Sequence, residues 1–486
     1  MTKEPEERNK APEPIWTEGY KICKSLKEGS VSSVELMENI YSRIELINPE
    51  VNAIVNLLPK EEALSLAKEA DKMPIPNRGP LHGLPMAPKD AVAVKGFPTT
   101  LGYKPFADKI ETNDDLLAAR LRQAGAIFIG HTNMPEFGLG SNTFNSVFGT
   151  TSNPYDLSKS AGGSSGGAAV ALATDMLPLA DGSDMGGSLR NPASFCNVVG
   201  FRPSIGRMPK GLGAAWYGRL STTGPMAKTV KDTAFLMSII SGEDDTDPLT
   251  LTQSGNDFLE AFTPYEILKD RPLKVSVSPS LGDLPVDSQV LNIIKSSAET
   301  FKKIGATITY ADPPLEGSME AFQIQRAVAL RGLGKMLNQS VESWRDYAKD
   351  TTIWNIEKGF DLSIDDMIKA EIIRTNIYLK ISEFFKEFDL LLLPSAQVPP
   401  FDLSNEWVKE INGEKLETYI DWMSVCCMIS TTGLPTISIP GGFTSENLPV
   451  GIQLVGKPRG DIELLKIAHL FESETNYHKN KPSLYD

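Results

Sequence analysis

Residues 160–190 read SAGGSSGGAAVALATDMLPLADGSDMGGSLR. Glycines and serines interleave there: Gly162, Gly163, Gly166 and Gly167 around Ser164 and Ser165, then Gly182, Gly186 and Gly187 around Ser183 and Ser188. Clustered glycines admit positive φ and close backbone approach. Four readings compete. A flexible linker fits poorly, because the intervening AAVALATDMLPLA is too apolar. A phosphate cradle of the P-loop type needs a Lys after the glycines, and none follows. Gly162-x-Ser164-x-Gly166 fits a nucleophile elbow, but the preceding DLSKSA is polar rather than strand-like, and the elbow needs a histidine partner. In the fourth reading Ser188 is a nucleophile on a loop that leaves a strand at 176–180 and enters a helix at Leu189–Ser194. The helix dipole favours developing negative charge there. The amides of residues 185–188 can converge as an oxyanion hole, because 186 and 187 carry no side chains.

A serine hydroxyl needs a base. The chain has four histidines. His82 and His131 precede the serines, His469 sits in a helical pattern and His478 in a polar tail. Lysine is the next candidate. Lys89 stands in the apolar run GLPMAPKDAVAV. Taken alone, it reads as a strand-end lysine that snorkels to solvent. A buried lysine with a lowered pKa is the competing reading, and the glycine-serine region favours it.

The elements that must position these groups follow from periodicity. Leu116–Gln123 reads as helix, and 126–129 (AIFI) as a buried strand. Residues 176–180 are a short apolar run weakened by Pro178. LKVSVS (273–278), a helix with Val290, Ile293, Ile294, Ala298 and Phe301 on one face, and ATITYA (306–311) form a β-α-β pattern. DLLLLP (389–394), PTISIP (435–440) and GIQLVG (451–456) are further strands. Asp461 is placed to cap a closing helix with Leu464, Leu465, Ala468 and Phe471 inward. The fold class is α/β: a large mixed, twisted sheet flanked by helices on both faces, with a mainly helical elaboration around 315–385.

The chain has 486 residues and a net charge of 48 − 62 = −14. An acidic chain without a polybasic run lacks the footprint of a nucleic-acid binder. No apolar run is long enough for a membrane span, and the charged, Pro-rich start lacks a secretory h-region. Cys23, Cys196, Cys426 and Cys427 form no C-x-x-C pair and read as reduced, so a cytoplasmic setting is expected. No linker divides the chain after residue 15. The expectation is a single domain over 1–486: an N-terminal helical segment to 75, a core over 79–235, a helical subdomain or lid at 315–385, and completion of the sheet over 386–486.

These residues resemble the amidase signature family, serine hydrolases of amides and related esters. GGSSGG, GSDMGGSLRNPAS and GFRPSIGR carry the resemblance at the centre. GPLHGLPMAPKD (79–90), the segment 131–156, STTGPMAKTVKD (221–232) and GLPTISIPGG…LPVGIQLVG (433–456) extend it in family order over most of the chain. Departures are modest: Ser183 stands where Thr is frequent, and Pro88 precedes the lysine. The resemblance implies a Ser–cis-Ser–Lys triad. Ser188 is similar to its nucleophile, Ser164 to the bridging serine on a cis peptide after Gly163, and Lys89 to its base. It also implies an oxyanion hole from the amides of Met185, Gly186, Gly187 and Ser188, supporting roles for Ser165, Asp184, Arg190 and Gly163, and no metal or organic cofactor.

The family includes the glutaminase subunit of tRNA-dependent amidotransferases. LSTTGP (220–225) departs from that subunit's L-D-Q-I-G-P pattern, and AEIIRTNIYLKI (370–381) does not match its G-x-E-V-K-R-R-I landmark. A free-standing amidase acting on small hydrophobic or aryl amides is therefore expected, with carbamates and esters as further substrates. Met134, Phe137, Phe144, Trp216 and Tyr217 are the candidate pocket residues. No nucleic-acid or membrane partner is expected, and the chain is expected to be a monomer or homodimer.

Overall fold

The computed structural model describes residues 11–210, 219–265, 271–482 and 484. Its centre is an eight-stranded mixed sheet. From one edge the strands are Ala306–Tyr310, Leu273–Val277, Leu390–Pro394, Pro449–Val455, Thr436–Phe443, Val199–Arg202, Thr222–Ala227 and Ala180–Asp184. The β-α-β unit forms as expected. Leu273 to Val277 pair in parallel with Ala306 to Tyr310, and the helix Ser288–Lys303 connects them. That helix buries Val290, Ile293, Ile294, Ala298 and Phe301, and the Asp287 side chain caps it by accepting from Gln289 N at 2.8 Å. The fully buried run Leu390–Pro394 lies between a parallel and an antiparallel neighbour. Continuous burial on both faces explains why it shows no polar alternation.

Helices cover the sheet. Ser288–Lys303, Asp461–Thr475 and Val230–Ile240 form one packed group; Gly166–Ala173 and Arg190–Phe195 pack with each other, the first on Ala180–Asp184 and Thr222–Ala227, the second on Pro449–Val455, Thr436–Phe443 and Val199–Arg202. Three helices, Gly19–Glu28, Ser33–Val51 and Lys60–Asp71, precede the core. Three more, Ser318–Ser340, Asp350–Phe360 and Ile364–Glu387, fill the region that lacks strand patterning. No helix among the described residues is long and apolar enough to cross a membrane.

Two expectations need correction. The strand that leads to the nucleophile loop is Ala180–Asp184, not 176–180. Met176 and Leu177 N–H groups donate back to Ala171 O at 2.9 and 3.1 Å, so this run closes the preceding helix. Ladder pairing begins at Ala180 opposite Met226. Asp461 does not cap the last helix either, because Gly460 takes that position. The Asp461 carboxylate is buried and accepts from Ser204 N, Ser204 Oγ and Arg207 Nη2 at 2.8, 2.7 and 3.0 Å.

Candidate active site

Lys89 follows the two-residue strand Pro85–Met86, which pairs in parallel with Ile127–Phe128. Thr132 N donates to Pro88 O at 2.9 Å, and Asp90 N donates to Thr132 O at 3.1 Å. The backbone is thus held on both sides of a lysine that is 1% exposed. Its Nζ donates to Ser164 Oγ at 2.6 Å, and to Ser165 Oγ and Ser183 Oγ at 3.1 Å each. All three partners are neutral hydroxyls. Burial pulls Lys89 down from 10.5 to about 7, and the charges of Asp181 and Asp184 only partly oppose this. Burial in turn raises Asp181 to about 7, although its carboxylate accepts from the Lys89 backbone N–H. His131, by contrast, packs its Nε2 against Val92 O at 3.3 Å, and burial lowers it to about 4.

The Gly163–Ser164 peptide is cis. Polar side chains hold the approach to it: Ser141 Oγ donates to Gly163 O at 2.6 Å, and Thr143 Oγ1 to Gly162 O at 2.8 Å. Asn191 Nδ2 donates to Ser141 Oγ at 2.8 Å, linking this turn to the helix after Ser188. Ser165 N donates to Ser188 O at 3.2 Å, so the two serine loops are joined backbone to backbone.

Asp184 organises the second loop. Its fully buried carboxylate accepts from Gly187 N at 2.9 Å, Leu189 N at 3.1 Å, and Arg190 Nε and Nη2 at 2.9 and 2.8 Å. Burial alone would push this carboxyl up, but Arg190 and Arg202 hold it well below the usual carboxylate range. Arg190 also donates to Gln453 Oε1 at 2.6 Å and Ser430 Oγ at 2.7 Å. Gly187 has φ +112°, and a Cβ there would lie 2.7 Å from Asn191 Nδ2 and 2.8 Å from Cys426 Cβ. Only glycine fits this turn.

The expected oxyanion hole narrows as a result. The Gly187 N–H is already given to Asp184, so it is not free for a substrate oxygen. Among the described residues, Met185, Gly186 and Ser188 N–H have no such partner. They remain the candidate donors.

Ser188 opens into a small cavity of about 30 Å³. It is lined by residues 138–141, Met185 and Gly186 together with Phe322, Arg326, Tyr419 and Met423. The pocket expectation is therefore corrected. Phe137 packs with Tyr103 and Phe106, and Phe144 lies under Lys349 Nζ at 4.9 Å. Met134 is buried behind Gly138. None of the three lines the cavity. Trp216 and Tyr217 lie outside the described residues. Phe322 and Arg326 were not singled out from sequence. The available signal was an arginine at a buried position of an otherwise apolar helix stripe. Ser183 and Asp181 were likewise not assigned roles, and both touch Lys89.

A buried lysine on paired serines, with a third serine on a glycine turn beside free amides, is an arrangement with the parts an acyl-transferring serine hydrolase needs, without a histidine. Similarity to known proteins specifies it further. The family profile described as Amidase matches residues 35–465. The acylamidase of Rhodococcus erythropolis is 33% identical over 475 residues, 96% of this chain and 97% of the relative. A glutamyl-tRNA(Gln) amidotransferase subunit from a Picosynechococcus strain is 31% identical, covering 93% and 97%. The crystal structure of a bacterial aryl acylamidase of the amidase signature family superposes with TM-score 0.87 at 28% identity, over 95% of this chain and 98% of that one. The chain belongs to the amidase signature family and is a hydrolase of amide C–N bonds.

Proposed function

We propose that the chain is a free-standing amidase that cleaves apolar or aryl amides through an acyl-Ser188 intermediate. The observation that carries this reading is the 2.6 Å contact of a buried, low-pKa Lys89 with Ser164. Neutral Lys89 accepts the Ser164 proton as Ser164 accepts that of Ser188, and Ser188 Oγ attacks the carbonyl carbon. The oxyanion rests on the amides of Met185, Gly186 and Ser188. The relay runs back to protonate the leaving nitrogen, which departs as neutral amine. Water then attacks the acyl ester by the same relay, releasing the acid and restoring Ser188. Asp184 and Arg190 fix the loop that carries the hole. Carbamates and esters can enter the same cycle. The helices of 318–387 act as the cover of the cavity.

Ser188→Ala and Lys89→Ala are expected to lower kcat/KM on a 4-nitroanilide by about 10³-fold or more, with unchanged circular dichroism. Near-normal turnover by either would overturn the assignment. Since the base must lose its proton, kcat/KM should rise with pH through about 7 and then level. The similarity to an amidotransferase component favours a second reading, a glutaminase working in a complex. Activity on glutamine and none on anilides would support it.

A further inference from the structure

The helix Ser318–Ser340 buries Ala321, Phe322, Ala327 and Leu330, and Arg326 lies within that stripe. Arg326 is 5% exposed and lines the cavity that holds Ser188. Its Nη1 donates to Asn355 Oδ1 and its Nη2 to Tyr419 Oη, both neutral groups. Among the described residues it makes no ion pair with a carboxylate, in contrast to Arg190, Arg202 and Arg207. Burial lowers it only to about 10, so it stays charged at neutral pH. Lys349 adds positive charge nearby and is repelled by it. Lys349 Nζ donates to Leu139 O at 2.6 Å, and Leu139 lines the same cavity. Of the two acids that act on that lysine, Glu136 and Glu406, the first is occupied by Thr352 Oγ1 at 2.7 Å and Lys349 N at 3.0 Å.

A buried charge without a counter-charge is costly. A guanidinium has five donors in a planar fork that matches a carboxylate. We propose that Arg326, with Tyr419 beside it, anchors a carboxylate carried by the substrate. The hydrolysed amide then has an anionic end, and seating its apolar body must widen the roughly 30 Å³ space between Phe322, Met185 and Met423. This deepens the amidase reading and rests on it for the reaction, though not for the binding.

Two substrate pairs test it. Succinyl against butyryl 4-nitroanilide places the carboxylate on the acyl side; 4-acetamidobenzoate against acetanilide places it on the amine side. In at least one pair kcat/KM should favour the anionic member by about tenfold or more. Arg326→Met should bring that ratio close to one, and Arg326→Lys should retain part of it. Neutral preference in both pairs, or a ratio unmoved in Arg326→Met, overturns the anchor. Calorimetry on Ser188→Ala protein separates binding from chemistry. 4-Phenylbutyrate should bind about tenfold tighter than 4-phenylbutanol, and adding Arg326→Met should erase the difference. Equal binding of the two overturns the anchor even where amides are cleaved. Selective carboxylate binding with no amide cleaved by the wild type overturns the amidase reading and leaves the anchor standing.

Discussion

Arg190, two residues after Ser188, and Arg326, in the cavity that Ser188 opens into, are both buried, yet their charges are completed differently. Arg190 forks onto Asp184 with two bonds and adds Gln453 and Ser430. Arg326 meets only Asn355 and Tyr419. The first lies in the glycine-serine core and closes its electrostatics inside the chain. The second lies in the helix Ser318–Ser340 and leaves them open toward the cavity. Lys89 stands between the two: its Nζ contacts hydroxyls only, but the charges of Asp181 and Asp184 also act on it. A closed pair fixes a loop, whereas an open cation is available to a proton or to a ligand.

The largest effect that would break this contrast concerns Arg190. Arg190→Met leaves Asp184 charged, buried and without its main counter-ion. A loss of about 3–5 kcal/mol in urea unfolding is expected. The double change Arg190→Met, Asp184→Asn should recover part of it. A single variant as stable as the wild type would show that the pair is not what holds the loop.

The next effect concerns Lys89 and reads as a pH slope. Its folded pKa of about 7 lies below the ordinary 10.5. Between those values the unfolded chain binds more protons, so wild-type stability rises with pH over that window. The slope approaches about 1.4 kcal/mol per pH unit, or about 2 kcal/mol from pH 7 to 9. Lys89→Met should remove that component of the slope while abolishing turnover. Parallel stability curves for the two proteins would place Lys89 in contact with solvent or with a full counter-charge.

Much of the core was legible because its residues are unusual for their positions. Glycines at 186 and 187 mark a turn too crowded for a Cβ, and Lys89 in an apolar run marks a buried amine. The strands at 273–277 and 390–394 were legible from apolar content. The same signal misplaced the strand at 180–184: ADGSD is polar, and the apolar run before it belongs to a helix end. The oxyanion donors were not separable by sequence, because the Gly187 amide is taken by an aspartate three residues away. The cavity walls were the least legible. They bring Ser188 together with Arg326 and Tyr419, which are remote in sequence, whereas aromatic content just after the signature pointed to Trp216 and Tyr217, with Met134, Phe137 and Phe144 as further apolar lining. Arg326 had a local signal, its place in an apolar stripe, but nothing in the sequence indicated which wall that stripe would face.

The smallest expected effect is the sharpest test of the comparison. Arg326→Met removes a cation that has no protein counter-charge, so no buried carboxylate is stranded. Asn355 Nδ2 already donates to Thr351 O at 2.6 Å and to Tyr419 Oη at 2.8 Å. Tyr419 Oη thus keeps a donor without the guanidinium, while Asn355 Oδ1 loses the one from Arg326, and Met fills the volume with apolar surface. Relief of the desolvated charge offsets the lost hydrogen bonds. Stability in urea is therefore expected to stay within about 1 kcal/mol of the wild type, or to rise. A loss as large as that of Arg190→Met would make Arg326 a structural arginine like the other. A near-zero change, beside a lost preference for anionic substrates, would mark a charge kept for a ligand rather than for the fold.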